Sequence, residues 1–322
     1  MTPLGVMSLR LLCMLTAMCW AYGMKDPRST IISQWPMIAA HDAATSYLKP
    51  GLINQWAKTQ NSGGISAMLD CGARFFDWRP KLKSDGSLIM HHGPINVDYQ
   101  MSKVLDELIL WSLNRTDSPE KNFVVLGITD CDGGPACMRA TRNELEHHNI
   151  TFLSDCAMLS NLTVASAMSL SPTGPILAIG SCWNEHYDPK VTCTGFFKTQ
   201  VGNMSPNNSN PNQLEYTCYN DSSTKSFPLN RMLNYINMTL SSGSISNTMF
   251  AVQVLWQETP ASIIVSGLHK SNIILDETRS ELNHIIATKI MNDEINISGI
   301  NLLEINNVCD GGQALMEAIF AK

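Results

Sequence analysis

The chain has 322 residues, of which 44% are hydrophobic and 16% charged, a balance that excludes a disordered tail and a multi-span membrane protein. Its formal net charge of −6, with Lys and Arg scattered and no basic runs, excludes phosphate-backbone binding as its main business, so no nucleic-acid partner is expected. Length alone allows two domains or a single α/β barrel.

Arg10 precedes an apolar stretch, 11–20, and then Ala21-Tyr22-Gly23, which offers the small residues a signal peptidase requires. Residues 1–23 are therefore predicted to be a cleaved secretory signal. About ten apolar residues are too few to cross a bilayer core of roughly 30 Å, and a signal anchor is the alternative. One domain is expected over 24–322, secreted or in the lumen of the secretory pathway. The tail Ala318-Ile319-Phe320-Ala321-Lys322 lacks the hydrophobic extension of a lipid-anchor signal.

Beyond the signal, short β-rich apolar runs alternate with helix-period segments, the pattern of βα units around a parallel sheet. Strands are predicted over 36–41, 73–79, 87–92, 123–129, 175–182, 249–256, 262–265 and 300–305. Eight runs suggest a closed barrel; those after residue 180 are the least regular, and an incomplete barrel is the alternative. Helices are predicted over 99–113, 229–240, 272–291 and 313–320. Residues 199–228, dense in Asn, Ser, Pro and Thr, read as a surface insertion. Cys131-Asp132-Gly133-Gly134 is echoed by Cys309-Asp310-Gly311-Gly312, each before a helix start. Paired glycines there could turn N–H groups toward an anion, and repeated turn chemistry is the plainer reading.

Beyond residue 23 lie Cys71, Cys131, Cys137, Cys156, Cys182, Cys193, Cys218 and Cys309, an even count suited to an oxidising compartment. Sequence does not choose the pairing; Cys131 with Cys137 and Cys182 with Cys193 are the short-loop options, and no C-x-x-C spacing marks a zinc ribbon. Glycosylation acceptors at Asn114, Asn149, Asn161, Asn203, Asn207, Asn220, Asn237 and Asn296 also suit secretion.

Three predicted strand ends carry polar residues that a buried apolar run would otherwise exclude: His41-Asp42, Asp77 with Arg79, and His91-His92. In a parallel barrel the C-terminal strand ends open on one face, so these groups would converge. An imidazole titrates near pH ~6.5, so one histidine can take a proton while another gives one, and Arg is a fixed positive fork for a phosphate diester. Taken singly, the pieces have structural readings: a His-Asp pair in a turn, a His-His tandem on a loop, an Asp77–Arg79 ion pair. Their order on successive strands between residues 41 and 92 joins them.

The runs Ile38-Ala39-Ala40-His41-Asp42, Gly72-Ala73-Arg74-Phe75-Phe76-Asp77-Trp78-Arg79-Pro80 and Met90-His91-His92-Gly93-Pro94 resemble the X-region of phosphatidylinositol-specific phospholipases C, in the single-domain bacterial-type branch and its secreted eukaryotic relatives. The likeness is dense over 31–130 and thinner afterwards. It implies a distorted TIM barrel and cleavage of the glycerol-side phosphodiester through attack by the inositol 2-hydroxyl, giving a cyclic phosphate. Carried over, His41 would be the general base and His92 the general acid. Asp42 would support His92, Arg79 would neutralise the phosphate, and Asp77 would orient Arg79 or lie behind the groups that touch the substrate. Calcium-dependent relatives place a carboxylate where Arg79 stands, so no metal and no cofactor is expected.

Departures stand beside the likeness. After the fourth strand bacterial relatives have a lysine, and here stands Thr129-Asp130; after the fifth they have an arginine, and here stands Cys182-Trp183. The carboxylate that orients the base should fall at Glu304 or Asn306. Asp130, Glu304, Asn306 and His91 are the candidate substrate contacts. The expected partner is a phospholipid or glycosyl-inositol lipid at a membrane surface, met by a monomer. The alternatives are a catalytically weak barrel that binds a phosphorylated head group or a partner protein, and a metal-dependent hydrolase using Asp42, Asp77, Asp130 or Asp132.

Overall fold

In the computed structural model of the chain the described residues are 26–51, 54–115, 119–180, 182–186, 192–193, 195–197, 214–216, 232–234, 236–238, 249–258, 272–297 and 300–322. The predicted signal, the predicted strand 262–265 and nearly all of the predicted insertion lie outside them. No helix among the described residues is long and apolar enough to cross a membrane.

The strands are β1 (Met37–Ala40), β2 (Ala73–Trp78), β3 (Pro80–Leu82), β4 (Leu88–His92), β5 (Ile95–Gln100), β6 (Val124–Ile128), β7 (Thr151–Leu153), β8 (Ile176–Gly180) and β9 (Trp183–His186). After them come the short β10 (Thr192–Cys193), β11 (Gly195–Phe197) and β12 (Leu214–Tyr216), then β13 (Met249–Gln253), β14 (Gln257–Glu258) and β15 (Leu302–Ile305). The helices used below are α1 (Gly64–Asp70), α2 (Met101–Leu113), α3 (Gly134–His147), α4 (Ile273–Ser280), α5 (Leu282–Met291) and α6 (Gly312–Phe320).

Eight strands form one parallel sheet in the order β7-β8-β6-β2-β1-β15-β13-β9, and with its helices the fold is a distorted TIM barrel of the α/β class. Alternation along each strand separates two apolar layers. Met37, Ala39, Phe75, Val125, Leu177, Ile179, Ala251 and Leu302 fill the interior. Ile38, Phe76, Leu126, Ala178, Val252 and Leu303 face outward, where they pack with Leu105, Leu108, Leu145, Ile286 and Leu315 of the helices.

The expected set of barrel strands is corrected in one place. Residues 87–92 do not form a barrel strand: β4 is the centre of an antiparallel sheet with β3 and β5. The turn Lys83-Ser84-Asp85-Gly86, closed by Gly86 N–H to Lys83 O at 3.0 Å, is far too short for a parallel crossover. At the other end β8 and β9 are separated by residues 181–182 alone; β8 pairs with β6 and β7 and β9 with β13, so this one stretch borders both ends of the strand order. The single helix predicted over 272–291 is two, α4 and α5, because Glu281 between them has a left-handed φ of 54°. The Gly-Gly echo is turn chemistry: Gly133 and Gly311, at φ 118° and 95°, cap α3 and α6 in a conformation that favours glycine.

Three disulfides lie among the described residues: Cys71–Cys309, Cys131–Cys137 and Cys156–Cys182. The second was among the short-loop options. The third rules out the other short-loop option, Cys182–Cys193: Cys182 is bonded to Cys156, and both belong to the interior cluster. Cys71–Cys309 closes a span of 238 residues and joins the end of α1 to the turn before α6. There a Cβ on Gly312 would lie 2.8 Å from the Cys71 carbonyl oxygen, so the two segments are in direct backbone contact. Replacing Cys71 and Cys309 together by Ser is expected to cost roughly 2–5 kcal/mol in urea unfolding, more than replacing the Cys131–Cys137 pair with its far shorter loop.

Candidate active site

The inward register that places Met37 and Ala39 in the interior continues to His41, just past β1, and β2 and β15 continue likewise to Asp77 and to Glu304 and Asn306. The interior is apolar at the bottom and polar at the C-terminal mouth. Asp42 would point away from His41 on a regular strand. Its left-handed φ of 45° breaks the alternation, and its N–H donates to Asp77 Oδ2 at 3.0 Å. Both side chains therefore serve one site.

Asp42 is its hub. Oδ1 lies 2.8 Å from Arg79 Nη1 in an ion pair, and Oδ2 lies 3.3 Å from His41 Nε2 and 3.3 Å from His92 Nε2. The two imidazole nitrogens thus share one carboxylate oxygen, within the span of a single diester. Arg79 also grips Asp77, with Nη2 to Oδ2 at 2.6 Å and Nε to Oδ1 at 3.1 Å. His92 Nδ1 donates to the Ala57 carbonyl at 2.7 Å, which leaves Nε2 to the site. The Asp42 carboxyl is held below its usual range: burial pushes it up, and His41, Arg79, His92 and His91 outweigh burial.

His41 is buried, and burial alone would lower its pKa; Asp42, Glu304 and Asp77 outweigh that burial and the opposing Arg79, and push it up to about 9. A raised value means that the protonated ring adds stability in full below its ordinary 6.5, and this is lost as pH rises through about 9. The thermal midpoint of the wild type is expected to fall across that interval, and His41→Gln to flatten the slope there. An unchanged slope in His41→Gln would refute the assignment.

His41 Nδ1 bonds Asn306 Oδ1 at 2.9 Å, so of the two candidates for the orienting position Asn306 occupies it, and Glu304 lies one inward layer deeper, its charge felt by His41. His91 turns away from the site, with its ring between the carbonyls of Gly93 (3.0 Å) and Asp130 (2.7 Å). Asp130, at φ 43°, serves there through its backbone. Sequence reasoning missed Thr59 and Gln60, whose Oγ1 and Nε2 hold the His41 carbonyl at 3.0 and 2.9 Å. It also missed Glu277, whose Oε1 accepts from Asn306 Nδ2 at 3.2 Å. None of the three sits in a motif; a polar residue on the buried face of α4 was the only available signal for Glu277.

Among the described residues, His41, Asp42 and Asp77 bring potential ligand atoms within 4.8 Å of one another, but Arg79 already bonds oxygens of both carboxylates. Asp130 and Asp132 are not in this group, and Asp132 pairs with Lys81 at 2.6 Å.

No family model matches the chain. Over 68 residues it is 34% identical to the 1-phosphatidylinositol phosphodiesterase of Staphylococcus aureus (strain Newman), a match spanning 21% of this chain and 22% of that protein. The protein of the same description from strain NCTC 8325 matches equally, at 34% over 68 residues and 20% of its length. A structure of the Staphylococcus aureus phosphatidylinositol-specific phospholipase C superposes with a TM-score of 0.58 at 14% identity, covering 93% of this chain and 96% of that one. The Listeria monocytogenes phosphatidylinositol-specific phospholipase C superposes at 0.56 with 13% identity, covering 94% and 97%. The chain resembles the phosphatidylinositol-specific phospholipases C and has the distorted TIM-barrel fold of their bacterial members.

Proposed function

We propose that this protein is a secreted phosphodiesterase of the phospholipase C type that cleaves an inositol lipid or a glycosyl-inositol lipid by general acid-base catalysis without a metal. The observation that carries the reading is the convergence of His41, His92 and Arg79 on the one carboxylate of Asp42. Neutral His41 takes the proton of the substrate hydroxyl at Nε2 as that oxygen attacks phosphorus. The bond to the glycerol oxygen breaks, and the leaving alkoxide takes a proton from His92 Nε2. The products are a cyclic phosphate and a diacylglycerol, with the two histidines left in exchanged protonation states. The Arg79 fork offsets charge on the phosphoryl oxygens, which a divalent ion would otherwise do. The five described glycosylation acceptors, Asn114, Asn149, Asn161, Asn237 and Asn296, are all exposed, which suits a glycosylated secreted chain.

The test is incubation of the purified chain in EDTA with vesicles of phosphatidylinositol and with glycosyl-inositol-anchored protein. A cyclic phosphate product supports the reading. Activity that needs a divalent ion restored after chelation refutes the metal-free mechanism. A second reading, a barrel that binds a phosphorylated head group without turnover, is favoured by the absence of a basic residue after β6 and β8: the chain has Thr129-Asp130 at the first place and the disulfide-bonded Cys182 at the second. Vesicle binding with no water-soluble phosphate released would support it.

A further inference from the structure

Two asparagines follow β15, and α4 answers both. Asn306 Nδ2 donates to Glu277 Oε1 at 3.2 Å, and Asn307 Nδ2 donates to Thr278 Oγ1 at 2.9 Å. Glu277 is almost fully buried, although a carboxylate is rarely kept inside unless its oxygens are engaged. The same Oε1 accepts the Trp256 backbone N–H at 2.9 Å, and Ser280, one turn on, accepts from Trp256 Nε1 at 2.8 Å. The backbone of Asn306 is held as well, its carbonyl accepting from Asn283 Nδ2 at 3.1 Å. Glu277 is thus fixed on a docked helix and aimed at one side-chain amide.

That amide has two orientations of nearly equal shape and opposite chemistry. A carboxylate only accepts, so Glu277 requires the NH₂ of Asn306 on its own side, and this turns the Asn306 carbonyl oxygen toward His41. An oxygen at 2.9 Å from His41 Nδ1 in turn requires the proton there. The Nε2 lone pair of the neutral ring is then left to face Asp42 and the mouth. We propose that Glu277 is a positioning residue that sets the tautomer of the His41 base through the Asn306 amide. The inference rests on the acid-base reading above. In this chain the carboxylate behind the base stands one amide further back, on a helix rather than on the strand.

The full chain and four variants test it: Glu277→Gln, Glu277→Ala, Asn306→Asp and the double variant that combines Asn306→Asp with Glu277→Gln. The first readout is the ¹⁵N spectrum of His41 above pH 9, where the ring is neutral, which gives the tautomer whether or not the protein turns over any lipid. Glu277→Gln keeps a carbonyl oxygen for both N–H groups, and the Nδ1–H tautomer is expected to persist. Glu277→Ala frees the amide to turn, so the Nε2–H tautomer should gain at least half of the population. Turnover of phosphatidylinositol should fall roughly 10- to 100-fold, by analogy with the loss of the outer hydrogen-bond partner of a metal-bound imidazole. Asn306→Asp sets two carboxylates against each other and should lower activity; adding Glu277→Gln should restore it, because a glutamine amide donates to the new carboxylate.

Glutamine at 277 is therefore neutral or harmful while Asn306 is in place, and beneficial once Asn306→Asp has been made. A packing role for Glu277 predicts additive effects, and additivity would overturn the relay, as would an unchanged tautomer in Glu277→Ala. Should the alanine variant not fold, the glutamine variant and the double variant decide the matter by the sign of their coupling. A wild type that turns over no lipid but obeys the spectral expectations would refute the enzyme reading and leave the relay standing.

Discussion

His92→Ala is expected to lower turnover on phosphatidylinositol vesicles by about 10²- to 10⁴-fold, the usual worth of one positioned acid or base, with little change in the unfolding midpoint. Its ring is partly exposed and makes one carbonyl contact and one carboxylate contact, so little packing is lost. His41→Ala should lose as much activity and some stability besides, because its ring is buried and hydrogen-bonded to Asn306. The two losses differ in their pH signatures. With His41 held at about 9, kcat/KM of the wild type should still be rising through pH 8. His41→Ala removes that rise. A substrate whose leaving group needs no proton, such as a nitrophenyl ester, should rescue His92→Ala and leave His41→Ala inactive. Full activity of either variant on the natural type of ester would end the acid-base assignment.

Arg79→Ala is expected to be the most damaging single change at the site. It strands two buried carboxylates, Asp42 and Asp77, that the guanidinium holds by three contacts between 2.6 and 3.1 Å. Breaking a buried ion pair from one side costs roughly 3–5 kcal/mol, which urea unfolding measures directly. Arg79→Lys keeps the charge but not the planar fork, and one ammonium cannot reach Asp42 Oδ1 and both oxygens of Asp77 together. Its stability should lie between those of the wild type and the alanine variant, while activity falls nearly as far as in Arg79→Ala, because the phosphate loses its fork. A stability of Arg79→Ala equal to the wild type would mean that the network contributes nothing to the fold.

The residues that were legible in the sequence share one property: they interrupt apolar runs close together in the chain. His41, Asp77, Arg79 and His92 each stand where a buried strand should have continued, and all four lie within one short stretch. The strand that carries His92 was misassigned because a buried hairpin strand and a buried barrel strand look alike over five residues, and only the brief Lys83-Ser84-Asp85-Gly86 turn separates the cases. Gln60 and Glu277 were illegible for a different reason. Gln60 bonds Ile305 across 245 residues, and Glu277 reaches His41 through Asn306. No local period encodes such contacts. The sequence left Glu304 and Asn306 open; both face inward, and the His41 ring bonds Asn306, the upper of the two.

β1 lies between β2 and β15, so the first barrel strand is walled on one side by the last. Translation delivers both imidazoles and the guanidinium early, and Asn306, which the His41 ring bonds, only near the end. A growing polypeptide therefore carries the reactive groups without the neighbour that aligns them. On the proposed acid-base reading, competence arrives with the closing residues of synthesis, and a premature stop before residue 306 is expected to leave a product that keeps both histidines and is inert.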